Sequence, residues 1–373
     1  MTDLDNLRKR IDLIDEGLVH LLFERMDVVE KVADYKSKNS MKVLDEAREE
    51  KIKKKFMDKV MGEDKKLLLC EFLEALMSIS KNSQQAKLKQ NNVFISKSDV
   101  STSCKIGFQG VAGSFSHEAV IEYFGEELET NCYLNFKDVF EAIDKDEIKY
   151  GVLPIENSST GGVAEVYDLL GKYSFHIIGE KCIKVNHNLL GIKGTQISSI
   201  EEVYSHAQGF LQCSNYFENR DTWKLIPYFN TAKSAQYIST INLNTKACVA
   251  SKKAAQIYGL DILKENINNS KNNHTKFIII SKVMEINDQC DKISVVISLP
   301  HKVGSLYSIL KHFTLNNANL LKIESRPIAD NSWKYLFYID FNGNILSQKS
   351  KDILNSIESE SLYYKLLGNY KGE

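Results

Sequence analysis

No apolar run in this chain approaches the roughly 18 residues that would cross a bilayer, and no basic segment followed by an apolar core opens it. A membrane span and an export signal are therefore not expected; a soluble, cytoplasmic protein is. A charge of one sign is missing too. Lysine and arginine number 48 against 49 aspartates and glutamates, so the net charge of −1 draws the protein to neither nucleic acid nor an acidic membrane. The seven cysteines (70, 104, 132, 182, 213, 248, 290) are scattered, odd in number and never spaced C-x-x-C. That excludes a disulfide framework and a structural zinc site and suits a reducing compartment. No metal or cofactor is expected.

What is present falls into three regions, and 373 residues allow two or three domains. Over residues 3–38 apolar side chains recur at helical spacing (Leu4, Leu7, Ile11, Ile14, Leu18, then Val28 and Val32), with no proline and only Gly17 among them. One long amphipathic helix follows, with a second from about Asp45 to Val60 and a third from about Lys65 to Leu88. Such a helix cannot bury its apolar stripe alone, so a second copy of the chain is expected to cover it. Residues 90–103 turn to Asn, Ser, Lys and Asp and read as a linker.

Beyond the linker, the short apolar runs KIGF, YGVLPI, FHIIGEKCIKV, VYSH, ACVA and KFIIIS alternate with helical stretches, which predicts an α/β domain over 104–284. After a polar stretch, ISVVISL, SLYSILKHF, NLLKIESRP and WKYLFYIDF predict a β-α-β-β unit. A last helix near 349–357 completes a small ferredoxin-like domain over 291–373.

Polar residues in the helical region share faces. Asp45, Arg48 and Glu49 lie at i,i+3 and i,i+4, as do Ser80 and Gln84 on the third helix. Arg25 and Lys36 are about three turns apart and point the same way along about 16 Å of helix. Arg8 lies about 25 Å from Arg25, too far for one metabolite to span. If both arginines hold one ligand, one of them comes from a partner chain. Taken singly, these charges read as the solvated face of a bundle.

LRKRIDLIDEGLVHLLFER, then Lys36, LDEARE and the S-x-x-x-Q of 80–84 resemble the AroQ-type chorismate mutase family over residues 4–88. The resemblance implies a pericyclic rearrangement of chorismate to prephenate, with no covalent step for the protein. By it, Arg8 from the partner, Arg25 and Arg48 bind carboxylates and Ser80 assists. Lys36 and Gln84 donate to the ether oxygen, and Asp45 and Glu49 hold the ring hydroxyl.

The stretch VLPIENSSTGGVAEV (152–166) crowds a carboxylate, an amide and hydroxyls around two glycines, with no nucleophilic cysteine beside them. With GFQGVAGSFSHEA, VYSHAQGFLQC and NNHTKF it resembles prephenate dehydratase over about 104–282. That family's fold is two α/β lobes around a cleft, like a periplasmic binding protein. The resemblance implies loss of water and carbon dioxide from prephenate. It makes Thr275 the catalytic hydroxyl and Glu156, Asn157, Ser158, Ser205, Gln212, Lys276 and Phe277 its neighbours on the substrate. Glu156 and His206 are the candidates for a stronger acid.

Gly107, Gly110 and Gly113 lack the dinucleotide spacing. They read instead as a turn aiming backbone N–H groups and a helix start at a substrate carboxylate. Two departures stand out: T-K-F where the family has T-R-F, and S-H-A-Q for S-H-P-Q.

Residues 293–368 resemble an ACT domain. Glu324, Ser325, Arg326 and Pro327 form its E-S-R-P, and Gly304, Ser305 and Leu306, followed by Tyr307, stand where G-A-L-V is usual. The resemblance implies phenylalanine binding and feedback inhibition. End to end, the chain resembles the bifunctional chorismate mutase/prephenate dehydratases, acting on chorismate and prephenate as a homodimer or higher homo-oligomer. Arogenate as substrate, and a non-enzymatic amino-acid sensor, stay open at this level.

Overall fold

The structure is a computed structural model and describes residues 3–38, 46–88, 105–327 and 335–373. The chain forms two compact units: one holds the N-terminal helices together with 302–317 and 347–361, the other the remainder.

In the first unit, α1 (Asp3–Lys38), α2 (Glu46–Met57) and α3 (Glu63–Leu88) follow the apolar periodicity, with Gly62 in a left-handed turn ahead of α3. α3 packs against both α1 and α2. Val29, Leu73 and Met77 are buried, but Leu4, Leu7, Ile11, Ile14, Leu18, Leu21 and Val28 remain exposed within one chain. An apolar stripe of that length is unusual on a free surface.

The second unit contains two lobes and a further sheet. In the first lobe, β1 (Ile106–Gln109), β2 (Thr130–Tyr133), β3 (Tyr150–Asn157), β4 (Gly161–Gly162), β5 (His176–Lys184) and a returning strand, 274–281, make a sheet. Its helices are α4 (Phe115–Phe124), α5 (Phe136–Asp144) and α6 (Ala164–Lys172).

The second lobe has β6 (Asn188–Gly191), β7 (Glu202–Ser205), β8 (Lys224–Pro227), β9 (Lys246–Ala250) and β10 (Asp261–Lys264) in the order β10-β6-β9-β7-β8. Helices α7 (Ala207–Gln212), α8 (Ser214–Phe217), α9 (Thr231–Ile241) and α10 (Lys252–Tyr258) surround it. The chain then returns through β11 (His274–Ser281), giving the first sheet the order β2-β1-β3-β11-β5. β11 is antiparallel to both neighbours, so the two crossing segments, near 185–187 and 265–273, connect the lobes.

Both faces of the first sheet are covered. Phe277 and Ile279 pack with Phe108 and Val152 on one side; Ile278 and Ile280 pack with Leu153, Ile155 and Val166 on the other.

The C-terminal strands are β12 (Lys292–Ser298), β13 (Leu320–Pro327), β14 (Tyr335–Asn342) and β15 (Tyr363–Tyr370), antiparallel in the order β13-β14-β12-β15. With α11 (Ser305–Leu315) after β12 and α12 (Gln348–Glu360) after β14, the connectivity is β-α-β-β-α-β, that of a ferredoxin-like unit. Val296, Tyr338, Leu367 and Tyr370 from this sheet join the same apolar cluster as Leu153 and Ile278. The first lobe and the C-terminal sheet therefore share one core. α11 and α12, which belong to the first unit, pack on each other, and buried His312 bonds to Glu360 at 2.8 Å.

Candidate active sites

In the helical unit the structure brings Arg25 and Ser80 together. The guanidinium donates to the buried Ser80 hydroxyl and to the Leu76 carbonyl at 3.4 Å, and burial lowers the Arg25 pKa. Two helices thus fix one cation, the Arg25 guanidinium. Arg48 is exposed on α2, and Arg8 is exposed on α1 seventeen positions before Arg25, so one chain does not bring Arg8 to that pocket. Lys36, Glu49 and Gln84 lie on α1, α2 and α3, with side chains outside the described residues, as is all of Asp45.

In the two-lobed unit a β-bulge organises the site. Phe277 faces Pro154 and Lys276 faces Glu156, so β3 carries one residue more than β11 at Ile155. Pro154 has no N–H to donate there, and the pleat beyond it reverses. Asn157 comes opposite Thr275, and its Nδ2 reaches Thr275 Oγ1 (2.9 Å), Asn273 Oδ1 (2.8 Å) and the His274 carbonyl (3.1 Å). Its Oδ1 accepts from the backbone of Ser159 (2.9 Å) and Thr160 (3.2 Å), an Asx turn that shapes the hydroxyl loop. Because Thr275 Oγ1 accepts from Asn157, its own proton is free to be donated elsewhere. Ser158 pins the loop by donating to the Asn272 carbonyl and accepting from His274 N.

Beside this turn lies a polar cavity of about 280 Å³. Ser159, Thr160 and Asn273 form one wall, Gln208, Leu211 and Gln212 the other, and Asn268, Asn269 and Ser270 lie along the crossing segment. Among the described residues no group of three or more His, Cys, Asp or Glu side chains could hold a metal ion.

Several residues expected on the substrate stand elsewhere. Phe277 is buried in the first-lobe core, where strand alternation directs it. Ser205 is fully buried and donates to the Val249 carbonyl, bracing β7 against β9. Glu156 and Lys276 point away from Asn157 and Thr275, into a charged cavity of about 440 Å³ shared with Glu180, Lys292, Lys322 and Asp340. Lys322 Nζ stands 2.7 Å from Glu156 Oε2, outside hydrogen-bond angles, so the attraction is coulombic. Lys276 lies 3.8 Å from Glu180, whose carboxylate also accepts from Lys292 at 2.7 Å. Burial pulls the Lys292 ammonium down, but Asp340 and Glu180 outweigh it and raise its pKa.

The candidates for a stronger acid fare similarly. Glu156 is turned away, and His206 is exposed with Nδ1 accepting from Gln208 N as the cap of α7. The glycine turn packs closely at Gly113. Gly113 N donates to His117 Nδ1, its carbonyl accepts from Ser251, and a Cβ on it would meet Ala254 Cα at 2.9 Å. The turn joins the lobes.

The E-S-R-P strand alternates in a useful way. Lys322, Glu324 and Arg326 face the first lobe, whereas Leu321, Ile323, Ser325 and Pro327 are exposed. The Glu324 carboxylate lies against Gly162, and Arg326 pairs with Asp168 of α6 at 3.2 Å. Gly304 caps α11 with φ +84°, Ser305 and Leu306 are half-buried, and Tyr307 faces solvent. Sequence reasoning missed Lys322, Glu180 and Lys292, which only distant pairing reveals. It also missed the amide run 266–273, whose density of asparagines was the available signal.

The prephenate dehydratase family profile matches residues 106–285 and the type II chorismate mutase profile matches 7–85. The bifunctional chorismate mutase/prephenate dehydratase of Buchnera aphidicola subsp. Schizaphis graminum is 32% identical over 376 residues, covering 100% of this chain and 97% of that one. This chain belongs to the bifunctional chorismate mutase/prephenate dehydratase family. As a member it converts chorismate to prephenate, and prephenate to phenylpyruvate by dehydration with decarboxylation. An arogenate dehydratase/prephenate dehydratase of Arabidopsis thaliana is 36% identical over 299 residues, 76% of each chain. Among solved structures, the prephenate dehydratase of Arthrobacter aurescens in complex with L-Phe has a TM-score of 0.66 at 27% identity, covering 72% of this chain and 89% of that one. Among the described residues no helix is long and apolar enough to cross a membrane.

Proposed function

We propose that the dehydratase site is the cavity beside Asn157, and that the bond from Asn157 Nδ2 to Thr275 Oγ1 is its working element. Accepting from Asn157 leaves the Thr275 proton directed to the substrate's ring hydroxyl. The scissile carboxylate departs as carbon dioxide, its bonding electrons flow into the ring, and the hydroxide leaves with help from Thr275 and takes up a proton to become water. Aromatisation drives the step, so positioning and hydrogen bonding suffice. Glu156 has no part at the reacting atoms; its partner is Lys322.

The mutase site is completed by two subunits. The exposed stripe on α1 is covered by a second copy, whose Arg8 joins Arg25, Lys36, Arg48, Ser80 and Gln84, with Asp45 and Glu49 on the ring hydroxyl. The protein works in the cytoplasm as a homodimer or a larger assembly. Residues 1–89 are the mutase domain, 90–103 a linker, 104–284 the dehydratase and 291–373 an ACT domain.

Phenylalanine inhibits through Gly304, Ser305 and Leu306 with Glu324, Ser325, Arg326 and Pro327. Its effect passes along β13, whose other face holds Glu156, Gly162 and Asp168 by charge and contact. The L-Phe complex of the Arthrobacter relative supports this reading. A second reading, arogenate as an additional substrate, is favoured by the Arabidopsis relative's double name.

The test supplies chorismate, prephenate and arogenate separately, with and without phenylalanine, and follows each product. Turnover of prephenate that is unaltered by saturating phenylalanine removes the regulatory part. Turnover of arogenate at a comparable rate establishes the second reading.

A further inference from the structure

His187 sits in the first crossing segment, almost wholly buried, and its ring reaches the wall of the dehydratase cavity through one nitrogen. Its Nε2 lies 2.8 Å from Gln212 Oε1, and Gln212 lines the cavity. The rest of the residue is locked. Its backbone N donates to Asn268 Oδ1 at 2.6 Å, its carbonyl accepts from Ile267 N at 2.9 Å, and the Phe115 ring packs edge-on at 5.7 Å. The other ring nitrogen, Nδ1, is buried without a partner.

Those facts fix the tautomer. Burial lowers the His187 pKa, so the ring is neutral and carries one N–H. Were that proton on Nδ1, a buried donor would be orphaned, which is rarer and costlier than an unpaired lone pair. The proton therefore sits on Nε2 and is donated to Gln212 Oε1. With its oxygen engaged, Gln212 turns its NH₂ to the cavity. Asn269 N donates to the Gln212 carbonyl at 2.7 Å and holds the backbone from the same side.

We propose that His187 is a positioning residue of the dehydratase: it holds the Gln212 amide with its nitrogen toward the substrate, so that the second lobe presents a donor to a carboxylate. A free glutamine amide flips between donor and acceptor, and the acceptor face would repel a dianion. The inference rests on the cavity being the prephenate site.

The test is a double-mutant cycle on the full-length chain, with mutase turnover and thermal melting as controls for folding. Gln212→Leu lowers dehydratase kcat/KM by roughly 10- to 100-fold, the range for a hydrogen bond to a charged group. His187→Leu reproduces most of that loss, chiefly as a raised KM, and adds nothing in the Gln212→Leu background. His187→Gln, whose amide N–H replaces Nε2–H, keeps most of the activity, whereas His187→Asn, which mimics Nδ1, loses it.

Multiplying losses in the double variant, or Asn outperforming Gln at 187, would overturn the positioning role while leaving the cavity assignment intact. A silent Gln212→Leu would overturn both. Should His187→Leu fail to fold, the Gln and Asn pair still decides.

Discussion

Asn157 Nδ2 stands 2.9 Å from Thr275 Oγ1, while the residues beside them in the two strands, Glu156 and Lys276, reach the C-terminal sheet on the opposite face. A single pair of strands thus carries the Asn157–Thr275 hydrogen bond on one side and a charged contact with the C-terminal sheet on the other.

Thr275→Ala removes the hydroxyl that Asn157 orients. Dehydratase kcat falls by roughly 10²- to 10³-fold, the loss seen when one preorganised donor is deleted, and mutase turnover in the same preparation is unchanged. Thr275→Ser recovers a large part. Near-normal phenylpyruvate formation by the alanine variant would end the assignment.

Lys322→Met breaks the ion pair with Glu156 without touching the cavity beside Asn157. Dehydratase turnover without phenylalanine stays near that of the parent, and the phenylalanine concentration for half inhibition rises roughly 5- to 10-fold, within the usual range of coupling energies. An unshifted inhibition curve would show that β13 does not carry the signal.

Gly113→Ala forces a side chain into a left-handed backbone position, φ +80°, and against Ala254. The two strains together cost about 2–4 kcal/mol in urea unfolding of the second unit. A stability equal to the parent's would mean that the turn moves freely between the lobes.

Lys365 donates to the Leu170 and Tyr173 carbonyls at the end of α6, and burial pulls its pKa from 10.5 down to about 8. A lowered native pKa means that the unfolded chain binds the extra proton between pH 8 and 10.5, so stability gains with rising pH across that window. The gain is lost as pH falls through 8. Tyr167, Tyr338 and Tyr370, whose pKa values burial raises, act in the opposite direction once the unfolded chain ionises above about 10. Thermal melting of the parent minus that of Lys365→Met, from pH 8 to 10, therefore has a positive slope. A flat difference would refute the assignment.

Arg8→Ala and Arg25→Ala each abolish mutase turnover. When the two chains are unfolded together and refolded, mixed dimers contain one pocket with both arginines and recover activity that neither homodimer has. No recovery would place both arginines in a pocket of one chain.

Much of this was legible in the sequence. The spacing of Leu4 to Val32 set a helix over 3–38, because a 3.6-residue period needs no distant information, and the KIGF, YGVLPI and KFIIIS runs announced buried strands. The closing strand β15 was not read, since YYKLLGNY has no valine, isoleucine or threonine and takes its extended form from pairing with β12. The ion partners of Glu156 and Glu180 were equally invisible, lying 96 to 166 residues away.

The sequence by itself determined the residue types at both sites and the period of each element, because these depend on local geometry and side-chain chemistry. Which way the P-I-E-N-S motif faces was decided only by the tertiary structure. Alternation counted from Leu153 would put Asn157 in the core face, but the extra residue at Ile155 gives that face to Glu156 and turns Asn157 to Thr275. A bulge exists only where a neighbouring strand defines the register, and β11 arrives from more than a hundred residues downstream.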